Sequence, residues 1–137
     1  MTQQVRYLRS NWFLRTVVNP IAMRARVATT LRVRTRTSGR TQEVPVNVLH
    51  HAGGEYLVSV RGESEWVRNL RAAGECVLHR GGRTSRHTVE ELPTGERAPV
   101  VDAYRGRWDY QAGRYFRRLP DPADHPVFLL RPGTQPG

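Results

Sequence analysis

From Thr29 onward the side chains alternate. Leu31, Val33 and Thr35 point one way and Arg32, Arg34 and Arg36 the other, the period of a half-buried strand. Thr37-Ser38-Gly39-Arg40 breaks it, and a second strand follows with Val44, Val46 and Val48 on one face. Pro45 has no N–H for a ladder, which places it at a sheet edge or a bulge. Ala52-Gly53-Gly54 is a hairpin turn into Glu55–Val60, where Tyr56, Leu57, Val58 and Val60 read as a buried strand. Cys76–Arg80 and Arg83–Leu92 flank a tight Gly81-Gly82 turn, and Pro126–Arg131 ends the pattern with Val127-Phe128-Leu129-Leu130. About six short strands in so small a chain cannot stay open with bare edges. The expected fold class is mainly β with flanking helices, a split β-barrel of about six mostly antiparallel strands.

Residues 3–28 carry apolar side chains at spacings of three and four, with Asn19-Pro20 as a cap and first-turn pair between two helical stretches. That segment either packs its apolar face on the domain or lies on a membrane surface. Ser64 and Gly74 bracket a short helix, with Trp66, Leu70 and Ala73 on one face. Thr94 caps a helix expected to run through Tyr104; residues 105–125 show no clear period. The 137 residues fit one domain. Its parts are an N-terminal helical segment at 1–28, a split-barrel cofactor-binding domain at 29–131 and a flexible tail at 132–137.

Every one of the 22 basic residues is arginine, against 12 acidic residues, for a net charge of +10. A GC-rich genome accounts for the missing lysines but not for the excess of cations. That excess calls for an anionic partner: nucleic acid, an acidic membrane or a polyanionic small molecule. No apolar run reaches the ~20 residues of a membrane span, and no signal peptide is recognisable. The single cysteine, Cys76, reads as a small buried hydrophobe. A cytoplasmic protein is the simplest account, with membrane association through the N-terminal helix left open.

Familiar catalytic sets are missing. His50, His51, His79, His87 and His125 show no ligand spacing with one cysteine, so no metal is expected. There is no nucleophile elbow, Walker loop or dinucleotide fingerprint. What remains is a chain that holds an anionic, aromatic ligand and lets that ligand carry the chemistry. Two segments can do the holding. Arg36-Thr37-Ser38-Gly39-Arg40-Thr41 places guanidinium groups, hydroxyls and a glycine backbone on one turn, the donors a phosphate needs; read alone it is equally an ordinary hairpin turn. Ser59-Val60-Arg61-Gly62-Glu63-Ser64-Glu65-Trp66-Val67-Arg68-Asn69 is a strand end, a loop and a helix start, where free N–H groups favour anions. Glu63 and Glu65 oppose that reading, and Trp66 alone reads first as a core residue.

In order and spacing these segments resemble the deazaflavin (coenzyme F420)-dependent nitroreductases, part of the flavin/deazaflavin oxidoreductase superfamily with the FMN-binding split-barrel fold. The similarity runs from about Val17 to Leu130. It is carried by Asn19-Pro20, Arg36-Thr37-Ser38-Gly39-Arg40 followed by Pro45-Val46, Tyr56-Leu57-Val58-Ser59, Trp66-Val67-Arg68-Asn69-Leu70-Arg71-Ala72 and Gly81-Gly82-Arg83. A late aromatic patch, Tyr104-Arg105-Gly106-Arg107-Trp108-Asp109-Tyr110-Gln111, adds to it. The resemblance implies coenzyme F420 rather than FMN as cofactor, and a hydride passed to a small hydrophobic or aromatic acceptor such as a quinone or nitroaromatic. It implies that Arg36 to Thr41 hold the cofactor phosphate, that Leu57, Val58, Ser59, Val60, Arg61 and Gly62 lie along ring and tail beside Pro45 and Val46, and that Glu65, Trp66, Val67, Arg68 and Asn69 complete the pocket. Tyr104 and Tyr110 are the expected acceptor-side residues, one of them a proton donor. Thr37 and Val67 stand where such proteins often carry a basic residue and a tyrosine. Two other classes compete: a carrier of cofactor or lipid without turnover, and a basic nucleic-acid-binding module. The last is not expected, because the aromatics do not alternate with arginines on one sheet. A homodimer stays open.

Overall fold

A computed structural model describes residues 29–133 of the chain. The helical segment expected at 1–28 and most of the tail at 132–137 lie outside the described residues. Seven strands form one antiparallel sheet: β1 (Thr29–Arg34), β2 (Thr41–Val46), β3 (Leu49–His51), β4 (Gly54–Val58), β5 (Glu75–Arg80), β6 (Arg83–Glu91) and β7 (Val127–Pro132). Helix α1 (Glu65–Ala73) follows β4, and α2 (Ala98–Arg118) lies between β6 and β7. The strand order is β2-β1-β5-β6-β7-β4-β3.

That order forces curvature. β2 and β3 are the two edges of the sheet, yet only Asn47 and Val48 join them. A flat sheet of this width would hold its edges about 29 Å apart. The link from Val46 to Leu49 spans about 11 Å at most. The sheet must therefore roll until its edges nearly meet, which is a split barrel. Pro45 sits on edge strand β2, opposite Thr30, where its missing N–H leaves no ladder bond unmade on the outer side.

Alternation then sorts the apolar side chains into two cores. Leu31, Val33, Val44, Leu57, Cys76, Leu78, Phe128 and Leu130 fill the barrel, plugged at one end by Val67 and Leu70 of α1. Their neighbours Leu49, Val58 and Val127 face the other way and are covered by Val100, Val101, Tyr104, Ala112 and Phe116 of α2. Leu57 and Val58 thus belong to different cores, as do Phe128 and Val127, because successive strand residues point to opposite faces. Cys76 is buried in the barrel, and burial together with the nearby Glu75 carboxylate pushes its thiol up to about 12, so it is a packing residue.

The expected single strand through Val48 is two strands, because closure of the barrel turns the chain at Asn47. The expected Thr94 helix begins as a 3₁₀ turn (Thr94–Glu96), and α2 proper starts at Ala98 with Pro99 in its first turn. It continues to Arg118, well beyond Tyr104. Trp108 has non-helical angles (φ −125°, ψ 19°) and kinks α2, while the buried positions Tyr104, Ala112 and Phe116 stay at multiples of four. Four charged groups tie the layers together at the surface. Arg71 of α1 bonds both Glu63 and Glu91, and Glu91 also accepts from the buried Arg97 at the start of α2. Among the described residues no helix is long and apolar enough to cross a membrane.

Candidate functional site

The turn between β1 and β2 is clamped to α1 by Asn69, which is 2 % exposed. Its side-chain oxygen accepts from the Arg36 backbone N–H at 3.1 Å and from Arg36 Nη1 at 2.8 Å. Its amide nitrogen donates to Gln42 Oε1 at 2.8 Å. The Arg36 guanidinium also forks onto Glu65, with contacts of 3.0 and 3.3 Å. One buried amide therefore fixes both ends of the turn against the first turns of a helix. Trp66 takes no part in this clamp. It is half-buried, with its ring 6.2 Å from Phe128 at the rim of the barrel core.

Within the turn, Gly39 has φ +75° and nothing within 4 Å of where a Cβ would stand. Ser38 Oγ pairs with Thr35 Oγ1 at 2.8 Å and accepts from the Arg40 N–H at 3.2 Å. Arg40 has no carboxylate partner among the described residues, and Thr37 to Thr41 are all exposed. The turn thus presents a cation, hydroxyls and a left-handed glycine to open space. Arg36, by contrast, is committed to Glu65 and Asn69.

The second expected segment is contiguous with this clamp. Ser59 is 1 % exposed, and its hydroxyl donates to the Gly62 carbonyl at 2.6 Å and lies 3.5 Å from Ser64 Oγ. Ser64 occupies the N-cap position of α1, but its side chain makes no capping bond. Gly62 has φ +81°, and a Cβ there would come within 3.1 Å of Leu119 Cδ2 and 3.4 Å of the Asp124 carbonyl. The loop is therefore packed down between α1 and the end of α2. Leu57, Val58 and Val67 are core residues, so only their backbone can face a ligand. Pro45 is exposed, and Val46 and Val60 are half-buried against the two cores. Arg68 pairs with Glu65 at 3.6 Å.

Tyr104 and Tyr110 lie elsewhere. Tyr104 is buried against Trp108 and Phe116, and its oxygen accepts from Asn47 Nδ2 at 3.1 Å. Burial pushes its phenol up, the Asn47 bond opposes this, and Tyr110 adds to the rise. Tyr110 is 77 % exposed and accepts a bond from Gln111. No hydrogen bond or ring contact joins either tyrosine to the 36–41 turn or to α1 among the described residues. Sequence reading did not find Gln42, Asn47, Tyr115 or His125. Each meets its partner across the fold, and none stands in a period or motif that marks it.

The Glu65 carboxyl is held below the ordinary 4.5, chiefly by the Arg36 hydrogen bond, which outweighs burial with help from the Arg36 and Arg68 charges. Glu63 is lowered in the same way by Arg71. A lowered folded pKa gives stability that is complete above the unfolded value and lost as pH falls through the folded one. Both carboxylates are about half exposed, so each pair contributes only ~0.2–1 kcal/mol. The expected result is a melting temperature that declines below about pH 4.5, with a shallower decline in Glu65→Gln; identical acid profiles would remove Glu65 from the clamp.

No family model matches the sequence and no curated protein matches it. Solved structures do. A structure of an F420-H2 dependent reductase, FDR-A, matches with 20% identity and a TM-score of 0.59, covering 77% of this chain and 95% of that one. An F420 reductase matches with 14% identity and a TM-score of 0.51, covering 79% and 87%. A protein from Clostridium acetobutylicum related to general stress protein 26 of B. subtilis, of the pyridoxinephosphate oxidase family, matches with 15% identity and a TM-score of 0.56, covering 89% and 84%. At these identities the likeness is one of fold. The β2–β3 closure, the α1 plug and the α2 cover accordingly make this chain a split barrel, the fold it shares with these solved structures.

Proposed function

We propose that the chain binds the reduced deazaflavin coenzyme F420 and serves hydride transfer to an electron-poor acceptor such as a quinone or nitroaromatic. The observation that carries this reading is the Asn69 clamp. It holds an exposed turn beside a helix start, with the Arg40 guanidinium and Ser38 at the surface; the Gly39 N–H is taken by the Thr35 carbonyl at 3.2 Å, so the glycine offers close approach and not a donor. Such a turn fits a phosphate, which needs a forked cation, hydroxyls and close backbone approach. The fold likeness to F420-dependent reductases supports the choice of ligand class.

On this reading Arg40 and Ser38 hold the phosphate, Gly39 leaves room for it to approach the turn, and Arg36 positions the turn instead of touching the ligand. The segment 59–62 forms the adjoining wall, with its backbone pinned by the Ser59–Gly62 bond. Trp66 and Val46 offer apolar surface at the barrel rim. Bound there, the reduced deazaflavin supplies a hydride; the protein's part is to hold donor and acceptor carbons about 3–3.5 Å apart and keep water out. The arginine excess suits a cofactor tail of several carboxylates, where many weak charge pairs act together.

Gly39→Val tests the turn. The substitution meets no steric neighbour but forces a β-branched residue to positive φ, so it re-aims the turn while the barrel stays folded. Cofactor binding is expected to weaken roughly tenfold or more; unchanged affinity in a calorimetric titration would make the turn an ordinary hairpin. The function itself is tested by mixing the protein with reduced F420 and menadione. Cofactor oxidation above background supports the reductase. Binding without oxidation across a panel of quinones and nitroaromatics supports a carrier instead.

A further inference from the structure

Tyr115 stands on the second half of α2, beside the loop that leaves β4. Arg61 Nη2 donates to its phenol oxygen at 3.0 Å and Arg114 Nη2 at 3.1 Å. Both guanidinium carbons also lie 5.0 Å from the ring centroid. A phenol oxygen has two acceptor sites and one hydrogen. With both acceptor sites taken by cationic donors, the hydrogen is what the side chain has left to give. The ring is half-buried, so a ligand can reach it. Burial raises the phenol, but the two hydrogen bonds and the two charges outweigh it and hold Tyr115 below its ordinary value. The charged groups facing it are Arg61 from the β4 exit and Arg114 on its own helix; Tyr104 and Trp108 share its core. Tyr104 has the opposite character and Tyr110 faces solvent, so neither of the expected acceptor-side tyrosines is prepared in this way.

We propose that Tyr115, held between Arg61 and Arg114, is the general acid that protonates the acceptor. This rests on the reductase reading above. For a quinone, the hydride brings two electrons and one hydrogen, leaving an anionic oxygen on the acceptor. The Tyr115 O–H bond breaks, a new O–H bond forms on that oxygen, and the acceptor leaves as the hydroquinone. The tyrosinate stays paired to two guanidinium groups until a solvent proton restores it. The donor releases its second proton to solvent, so two electrons and two protons pass from reduced cofactor to quinone.

The test begins without cofactor. Ultraviolet difference titration of the whole protein is expected to show one phenol ionising below the others, absent in Tyr115→Phe and shifted upward in Arg114→Gln. With F420, Tyr115→Phe is expected to retain the cofactor as the parent does while kcat with menadione falls about a hundredfold. The alkaline limb of the parent's pH profile, where the acid has lost its proton, should vanish in Tyr115→Phe and move upward in Arg114→Gln. Full turnover with an unchanged pH profile in Tyr115→Phe overturns the acid and leaves the reductase standing. A parent protein that never oxidises reduced F420 overturns both.

Discussion

His125→Ala is expected to cost about 3–5 kcal/mol of stability. The ring is fully buried, 4.5 Å from Phe116. Nδ1 faces the Ser59 carbonyl at 2.9 Å and Nε2 the Leu119 carbonyl at 2.6 Å. Carbonyl oxygens only accept, so the ring holds these carbonyls through N–H donation. The side chain thus pins the exit of β4 to the end of α2. Alanine would leave the Ser59 carbonyl with only its 3.5 Å contact from the Gly62 N–H, take the ring from the part-buried Leu119 carbonyl, and open a cavity against Phe116. His125→Phe separates the terms: it fills the space but donates nothing, and should recover only the packing part. Denaturant melts of both variants check this. A loss below about 1 kcal/mol in His125→Ala would show the two bonds to be incidental.

Asn69→Ala is expected to cost about 2–3 kcal/mol and, beyond that, to weaken F420 binding roughly tenfold. Three hydrogen bonds vanish, and the Arg36 backbone N–H loses its partner. The helix itself should survive, since Val67 and Leu70 keep its buried face and Gly74 its left-handed C-cap. What loosens is the turn. The discriminating readout is binding measured well below the melting temperature of each variant. If Asn69→Ala melts early yet binds as tightly as the parent, α1 is scaffold only, and the clamp does not serve the ligand.

How far the residues announce this arrangement depends on distance along the chain. The strand pairs and the positive φ at Gly39 follow from local chemistry: period-two alternation and a residue that tolerates left-handed backbone. Pro45 announces its edge because it lacks an N–H. The division of β2 from β3 does not show, because Val44, Val46 and Val48 keep one alternation through the corner; only closure of the whole sheet requires the turn at Asn47. The second half of α2 is hidden because its buried positions are Ala112, Gly113 and Phe116, of which only Phe116 is a large apolar side chain. In the site, the 36–41 turn and the 65–69 helix start are readable as donors, but their coupling is not. Glu65 reads as a group that repels an anion from the helix start, and folding instead pairs it with Arg36 and Arg68. Tyr115 is invisible for the same reason: its chemistry is created by Arg61, which arrives from the other side of the fold.

Cofactor retention tests the central claim most directly. The purified protein is mixed separately with F420, FMN and FAD, passed through a desalting column, and the bound chromophore read by absorbance. Retention of F420 alone, lost in Gly39→Val, is the result expected of a deazaflavin-binding split barrel whose 36–41 turn holds the phosphate. Retention of FMN with F420 passing freely through, or of none of the three, would contradict it.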